Sequence, residues 1–125
     1  MNKTGDIGEQ LAADYLLSKN YHILARNWRG TKELKAPEID IIAQKDDTIV
    51  FLEVKTSSTG KFGSPREKID NYKRKRIAQG AQAYLAINNL GEIQCRFDAI
   101  IVDKRQKYPK IIHIENAFTL NDIEN

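Results

Sequence analysis

Asp40, Glu53 and Lys55 are the residues whose types and spacing invite chemistry. They lie in two runs rich in Ile, Val and Phe, Glu38 to Gln44 and Thr48 to Thr56, joined through Lys45-Asp46-Asp47. β-Branched and aromatic residues favour strands, and an Asp-Asp junction favours a turn, so the two runs predict a hairpin. A turn centred between Asp46 and Asp47 sets Asp40 opposite Glu53 and Glu38 opposite Lys55. Residues facing each other in an antiparallel pair point to the same side, so these four share one face. The other face then carries Ile39, Ile41 and Ala43 against Val50, Leu52 and Val54, all apolar. A one-residue slip would drive the charges into that apolar face.

Two carboxylates about 5 Å apart at an effective dielectric near 20 repel by roughly 3 kcal/mol. A shared proton, the neighbouring Lys55 or a bound divalent cation would each offset that cost. Mg²⁺ takes oxygen ligands, commonly one or two carboxylates, and keeps water in its shell. Lys55 could then orient or deprotonate such a water. A plain ion-pair cluster on the polar side of a hairpin has the same spacing, so both readings stay open. Glu9 borders small residues at the edge of a helical apolar sector and is either a further metal ligand or an ordinary boundary glutamate. Lys73 interrupts the stripe Ile69, Ile77, Gly80, Tyr84, so its ammonium either reaches out along the helix edge or points into a site. Arg76 follows near the same face, and both could hold phosphates.

These residues need elements to position them. Thr4 is a candidate N-cap for a first helix, with Ile7, Leu11, Ala12, Tyr15 and Leu16 at helical spacing and Asn20 suited to end it. Tyr21 to Trp28 predicts a strand, Arg29 to Pro37 a polar loop, then the hairpin. Thr56 to Ser64 is a loop carrying Gly60 and Gly63. Ser64-Pro65-Arg66-Glu67 has the order of a helix start, with a helix running towards Ile87 and Asp70-Asn71 able to cap a second segment. Ile93 to Asp103 and Lys110 to Glu115 complete the set as strands. The order α-β-β-β-α-β-β predicts an α/β fold, a mixed sheet with helices packed against it. Trp28 and Tyr84 read as packing residues, Cys95 as buried between Ile93 and Phe97, and His113 as a strand residue with a satisfied hydrogen bond. Arg96 and Asp98 share a strand face and suit an ion pair.

The chain has 125 residues, one domain's worth. One cysteine and two histidines exclude an internal disulfide framework and a His/Cys zinc cluster. No run approaches the roughly 18 apolar residues of a membrane span, and the first residues lack an apolar signal region, so the expectation is a cytoplasmic protein with no membrane partner. The net charge of +3 is unevenly placed. Lys61 to Arg76 holds seven basic residues against two acidic ones, leaving the remainder slightly acidic. A basic segment on such a body suits a polyanion.

At these residues the sequence resembles the bacterial YraN family, which is assigned a Holliday-junction-resolvase-like fold within the PD-(D/E)XK nuclease superfamily. The matching segments are Gly5-Asp6-Ile7-Gly8-Glu9, Ala25-Arg26-Asn27-Trp28-Arg29, Glu38-Ile39-Asp40-Ile41-Ile42-Ala43 and Val50-Phe51-Leu52-Glu53-Val54-Lys55. Phe62 to Glu67, Lys73 with Arg76, Arg96-Phe97-Asp98 and His113 to Phe118 follow in order. The resemblance implies a restriction-endonuclease-like sheet flanked by helices, with 1–118 as one nuclease-like domain and 119–125 as a short polar tail. It implies metal binding by Asp40 and Glu53, supplemented by Glu9, and a catalytic lysine at Lys55. Lys73 and Arg76 match basic positions on the following helix; Arg74 and Lys61 extend that nucleic-acid-facing set. Pro37 stands where the family usually has Gly, and the loop from Thr31 departs from the family pattern too.

The leading expectation is a metal-dependent endonuclease that uses Mg²⁺ or Mn²⁺ to hydrolyse nucleic-acid phosphodiesters, with DNA the expected partner, branched DNA a candidate substrate and a homodimer a candidate assembly. The alternative is a nucleic-acid-binding module that keeps the nuclease core without turnover. A third class, an interaction protein with no nucleic-acid partner, predicts that Lys73 and Arg76 are dispensable for binding.

Overall fold

The computed structural model describes residues 3–57 and 70–119, with side chains from Ile7 onward. Lys61, Gly60, Gly63, the Ser64-Pro65-Arg66-Glu67 helix start, Ile69 and most of the C-terminal tail lie outside the described residues. The elements follow the expected order: α1 (Lys3–Ser18), β1 (His22–Gly30), β2 (Lys35–Lys45), β3 (Thr48–Ser57), α2 (Asn71–Ile87), β4 (Gln94–Asp103) and β5 (Lys110–Phe118). They build one five-stranded sheet in the order β1-β2-β3-β4-β5. Among the described strands only the β3–β4 pair is parallel; the other neighbours are antiparallel. A parallel neighbour requires a crossover connection, and α2 lies within it.

The hairpin turns where the sequence placed it. Ile41 pairs with Leu52, Ala43 with Val50 and Lys45 with Thr48 around a two-residue turn. Asp46 takes the left-handed conformation at φ 52°, which such a turn demands and Asp tolerates. Asn20 does the same after α1, at φ 68°. α2 starts at Asn71, with the Asp70 carboxylate accepting from the Lys73 N–H at 2.8 Å. That cap satisfies one of the helix's unpartnered N–H groups and fixes the turn that carries Lys73.

Both faces of the sheet are covered. Ile41, Ala43, Val50 and Leu52 pack under α1 with Ala12 and Leu16; Ile42, Phe51 and Phe97 pack under α2 with Ile77 and Tyr84. Each fully buried Ile, Leu, Val or Phe among them contributes about 1.5–3 kcal/mol. Trp28 packs edge-on against Tyr84 at 5.3 Å between centroids, as a core contact. Gly80 lets α2 lie close to β2: a Cβ there would come within 2.7 Å of the Pro37 carbonyl and 3.0 Å of Ile39 Cδ1.

Several boundaries differ from the sequence reading. Thr4 lies inside α1 rather than capping it. The expected loop to Pro37 is shorter, because β2 already begins at Lys35. The Thr31 N–H donates to the Leu34 carbonyl and the Leu34 N–H donates back to Thr31 Oγ1, closing that tight turn, and Pro37 sits in β2 before its ladder with β3 begins at Ile41. Its missing N–H therefore removes no β2–β3 bond. β5 continues to Phe118 through an irregularity at Asn116, φ 53°. Cys95 is exposed at the start of β4, not buried, because strand alternation near a sheet end does not guarantee a covering layer. No helix among the described residues is long and apolar enough to cross a membrane.

Candidate active site

The ladder between β2 and β3 stops at Ile41 and Leu52, and the site opens where it stops. The next free donor on β3, the Val54 N–H, is taken by the Asp40 carboxylate at 2.8 Å instead of by a strand partner. Asp40 and Glu53 therefore meet through their side chains and share a hydrogen bond, close to the facing expected from the turn. Glu53 is only 4% exposed. Burial, the Glu53 charge and the shared hydrogen bond push the Asp40 carboxyl up to about 8, against the opposing pull of the Val54 N–H. One of the pair thus holds a proton near neutrality, which relieves the repulsion inferred from the sequence.

Two lysines complete the balance. Lys55 Nζ lies 3.3 Å and Lys73 Nζ 3.1 Å from the same oxygen, Glu53 Oε1. Lys73 enters from the first turn of α2, so its place on the otherwise apolar stripe is explained by a buried carboxylate. Burial works against its charge, yet Glu53, Asp40 and Glu38 outweigh that and raise its pKa. Glu38 does not meet Lys55; it pairs with Arg29 at 3.3 Å.

Glu9 reaches the neighbourhood from α1, and its charge adds to the upward push on Asp40. Its carboxylate is held by Asn27, whose Nδ2 donates to Oε1 at 2.8 Å and Oε2 at 3.0 Å, with Glu38 Oε1 at 3.5 Å. Among the described residues no three His, Cys, Asp or Glu side chains converge as a ready-made metal cage. The Asp40–Glu53 pair nonetheless has the donor chemistry for a hard divalent cation, which needs only one or two carboxylates when water and a substrate phosphate fill the shell. Asn27 carried no role in the sequence reading. The available signal was its type, an asparagine in mid-strand where its β propensity is poor.

The basic set divides by location. Arg76 is exposed, its guanidinium 5.7 Å from the centre of the exposed Tyr72 ring. Arg74 lies 5.8 Å from the Phe118 ring at the margin of the core. Lys73 sits in the carboxylate site, and Lys61 is outside the described residues.

A second charged cluster lies on the α1 face. Asp98, 1% exposed, accepts from Arg96 Nε at 2.9 Å and from the Asn116 N–H at 3.0 Å, and bonds His113 Nε2 at 2.7 Å. Arg96 also donates to the Tyr21 hydroxyl at 2.6 Å, and Tyr15 meets His113 Nδ1 at 3.0 Å. Burial alone would raise Asp98, but His113, Arg96 and the Asn116 N–H together hold it below the usual carboxylate range. The ion pair and the satisfied histidine expected from sequence are both present.

The model of the uncharacterised protein family UPF0102 matches residues 8–102, a span that holds Glu9, Asp40, Glu53, Lys55, Lys73 and Arg76. The UPF0102 protein of Alkaliphilus oremlandii is 49% identical over 118 residues, covering 93% of this chain and 97% of the relative. That of Clostridioides difficile is 48% identical over 114 residues, covering 91% and 95%. That of Flavobacterium psychrophilum is 41% identical over 117 residues, covering 94% of each. With near-full-length matches of this strength on both sides, the chain belongs to the UPF0102 family, the YraN family of the sequence resemblance.

Proposed function

We propose that this protein is a metal-dependent endonuclease that hydrolyses nucleic-acid phosphodiester bonds, with DNA, branched DNA included, as its substrate. The observation that carries the reading is the Asp40–Glu53 pair at the open end of the central hairpin, with Lys55 on the same carboxylate. A mixed sheet with a helix on each face and its acids on the central strands is what the restriction-endonuclease-like architecture of the resemblance requires.

Asp40 and Glu53 would hold Mg²⁺ or Mn²⁺, which when bound polarises a phosphate and acidifies a water. Burial and Glu53 disfavour the ionised form of Asp40 in the metal-free protein, and a bound cation would favour it. Lys55, more exposed than Glu53, orients the attacking water or meets developing negative charge. Lys73 exchanges its contact with Glu53 for a substrate phosphate, and Arg76 positions the backbone without reading sequence. Cytoplasmic residence and a homodimer cutting two strands belong to the same reading.

One observation favours a second reading, a binding module without turnover: two lysines already neutralise Glu53, and Glu9 is engaged by Asn27. Cleavage of a labelled panel (four-way junction, flap, single strand, duplex, RNA) with Mg²⁺ or Mn²⁺ separates them. Metal-dependent cutting that Asp40→Asn abolishes is the expected result. Salt-sensitive binding with no product on any substrate would select the binding module, and cutting retained in Asp40→Asn would sink the assigned site.

A further inference from the structure

We infer that Asn27 is a positioning residue that holds Glu9 ready as a third acid beside the Asp40–Glu53 pair, an inference that rests on the metal-site reading above. Asn27 takes the left-handed conformation, φ 50°, in the middle of β1. A regular strand would put Arg26 and Trp28 on one face. Here Arg26 Nη1 reaches Gln10 of α1 at 2.9 Å, while the Trp28 ring packs on Tyr84 of α2. β2 makes the same switch directly opposite. Arg26 pairs with Ile41 and Trp28 with Ile39, so Asn27 lies across from Asp40; Ile39 packs with α2 and Ile41 with α1.

The kink therefore sits at the catalytic aspartate's own position on the neighbouring strand. Glycine would supply the left-handed turn more cheaply, but only asparagine also supplies an amide donor there. That amide spans both oxygens of Glu9 and borders Glu38. α1 is docked at the same place from the other side: Gly8 packs against Thr56 so closely that any Cβ would collide with its Oγ1. Glu9 thus sits on a helix docked at the end of β3, near enough for its charge to act on Asp40. A neutral donor on a carboxylate ligand orients it without neutralising it, as outer partners of metal ligands do.

Mn²⁺ binding to the full-length chain, measured by calorimetry, tests this. Asn27→Gly keeps the left-handed turn and removes the amide, and is expected to weaken Mn²⁺ binding roughly tenfold. Glu9→Gln should weaken it too, and the double variant should bind no more weakly than Glu9→Gln alone, because Asn27 acts only through Glu9. A urea-unfolding midpoint close to wild type confirms that Asn27→Gly keeps β1, since glycine takes φ 50° without strain. Wild-type affinity in Asn27→Gly, or losses that add in full in the double variant, would overturn the inference while leaving the metal site intact. Unchanged Mn²⁺ binding in Asp40→Asn would instead overturn the metal site, and this inference with it.

Discussion

Asp98 and Asp40 are carboxylates on strands that flank β3, and the protein treats them in opposite ways. Asp98 is buried and fully answered by a guanidinium, an imidazole and a backbone N–H, so its ionised form is favoured. Asp40 is disfavoured as an anion by burial and by the second carboxylate it faces, with one backbone N–H pulling the other way. The first arrangement serves the fold and asks nothing of solvent. The second leaves a demand for positive charge that a proton meets partly and a ligand could meet better. Perturbed acids of that kind cluster at functional sites, and the contrast within one sheet separates the two uses of a buried carboxylate.

The largest expected effect comes from breaking the satisfied side. Asp98→Ala leaves Arg96 and His113 without their partner and should cost about 3–5 kcal/mol, read by urea unfolding at pH 7. Asp40→Asn should have the opposite sign, stabilising the metal-free protein at pH 8 by on the order of 3 kcal/mol, because the folded wild type must hold a proton there that the unfolded chain releases and each unit of raised pKa costs about 1.4 kcal/mol. The pH signs differ as well. The Asp40 pKa is raised from 3.8 to about 8, so its stabilising contribution is present below the lower value and lost as pH rises towards the upper one. Asp98 is lowered, so its contribution is present above the ordinary carboxylate value and lost as pH falls through the depressed one. The gap between Asp40→Asn and wild type should therefore widen from pH 5 to pH 8; a constant gap would remove the basis of the comparison. Mg²⁺ should raise the wild-type melting temperature more at pH 8 than at pH 5, and leave Asp40→Asn unmoved.

Smaller effects sharpen the contrast. Tyr15→Phe deletes the hydroxyl on His113 Nδ1 and should cost about 1 kcal/mol, with no change in metal response. Arg76→Ala should leave stability within about 0.5 kcal/mol of wild type. Its expected mark is on nucleic-acid binding, where the slope against salt falls by about 1 for a lost phosphate contact. An unchanged slope would take Arg76 out of the nucleic-acid surface.

The hairpin register, the Asp70 cap and the meeting of Asp40 with Glu53 were legible because each depends on neighbours in sequence: a two-residue turn, a side chain on its own helix, and residues flanking one turn. Ile39 shows where that reasoning ended. Alternation grouped it with Ile41, yet it packs under α2, because the left-handed Asn27 on the adjacent strand accompanies a switch that period-two counting cannot register. The partner of Lys73 was equally hidden. Its oddity on an apolar stripe was visible, but the Glu53 it meets is brought by the crossover rather than by spacing. The alternation of Cys95 with Ile93 and Phe97 does not say which strand ends the layers cover, and this one is left exposed.

Asn27 and Asn116 lie on β1 and β5, the two outer strands of the sheet, and each outer strand also carries a register shift. An incoming strand needs a flat, regular row of backbone donors and acceptors to extend a sheet, and such kinks deny it one. The residue that shapes the acid site thus also guards one flank of the molecule against strand-to-strand aggregation, and its counterpart at β5 guards the other. Crowding many copies together should then leave the sheets separate, and any pairing of two chains would have to proceed through helices and loops rather than by joining sheets edge to edge.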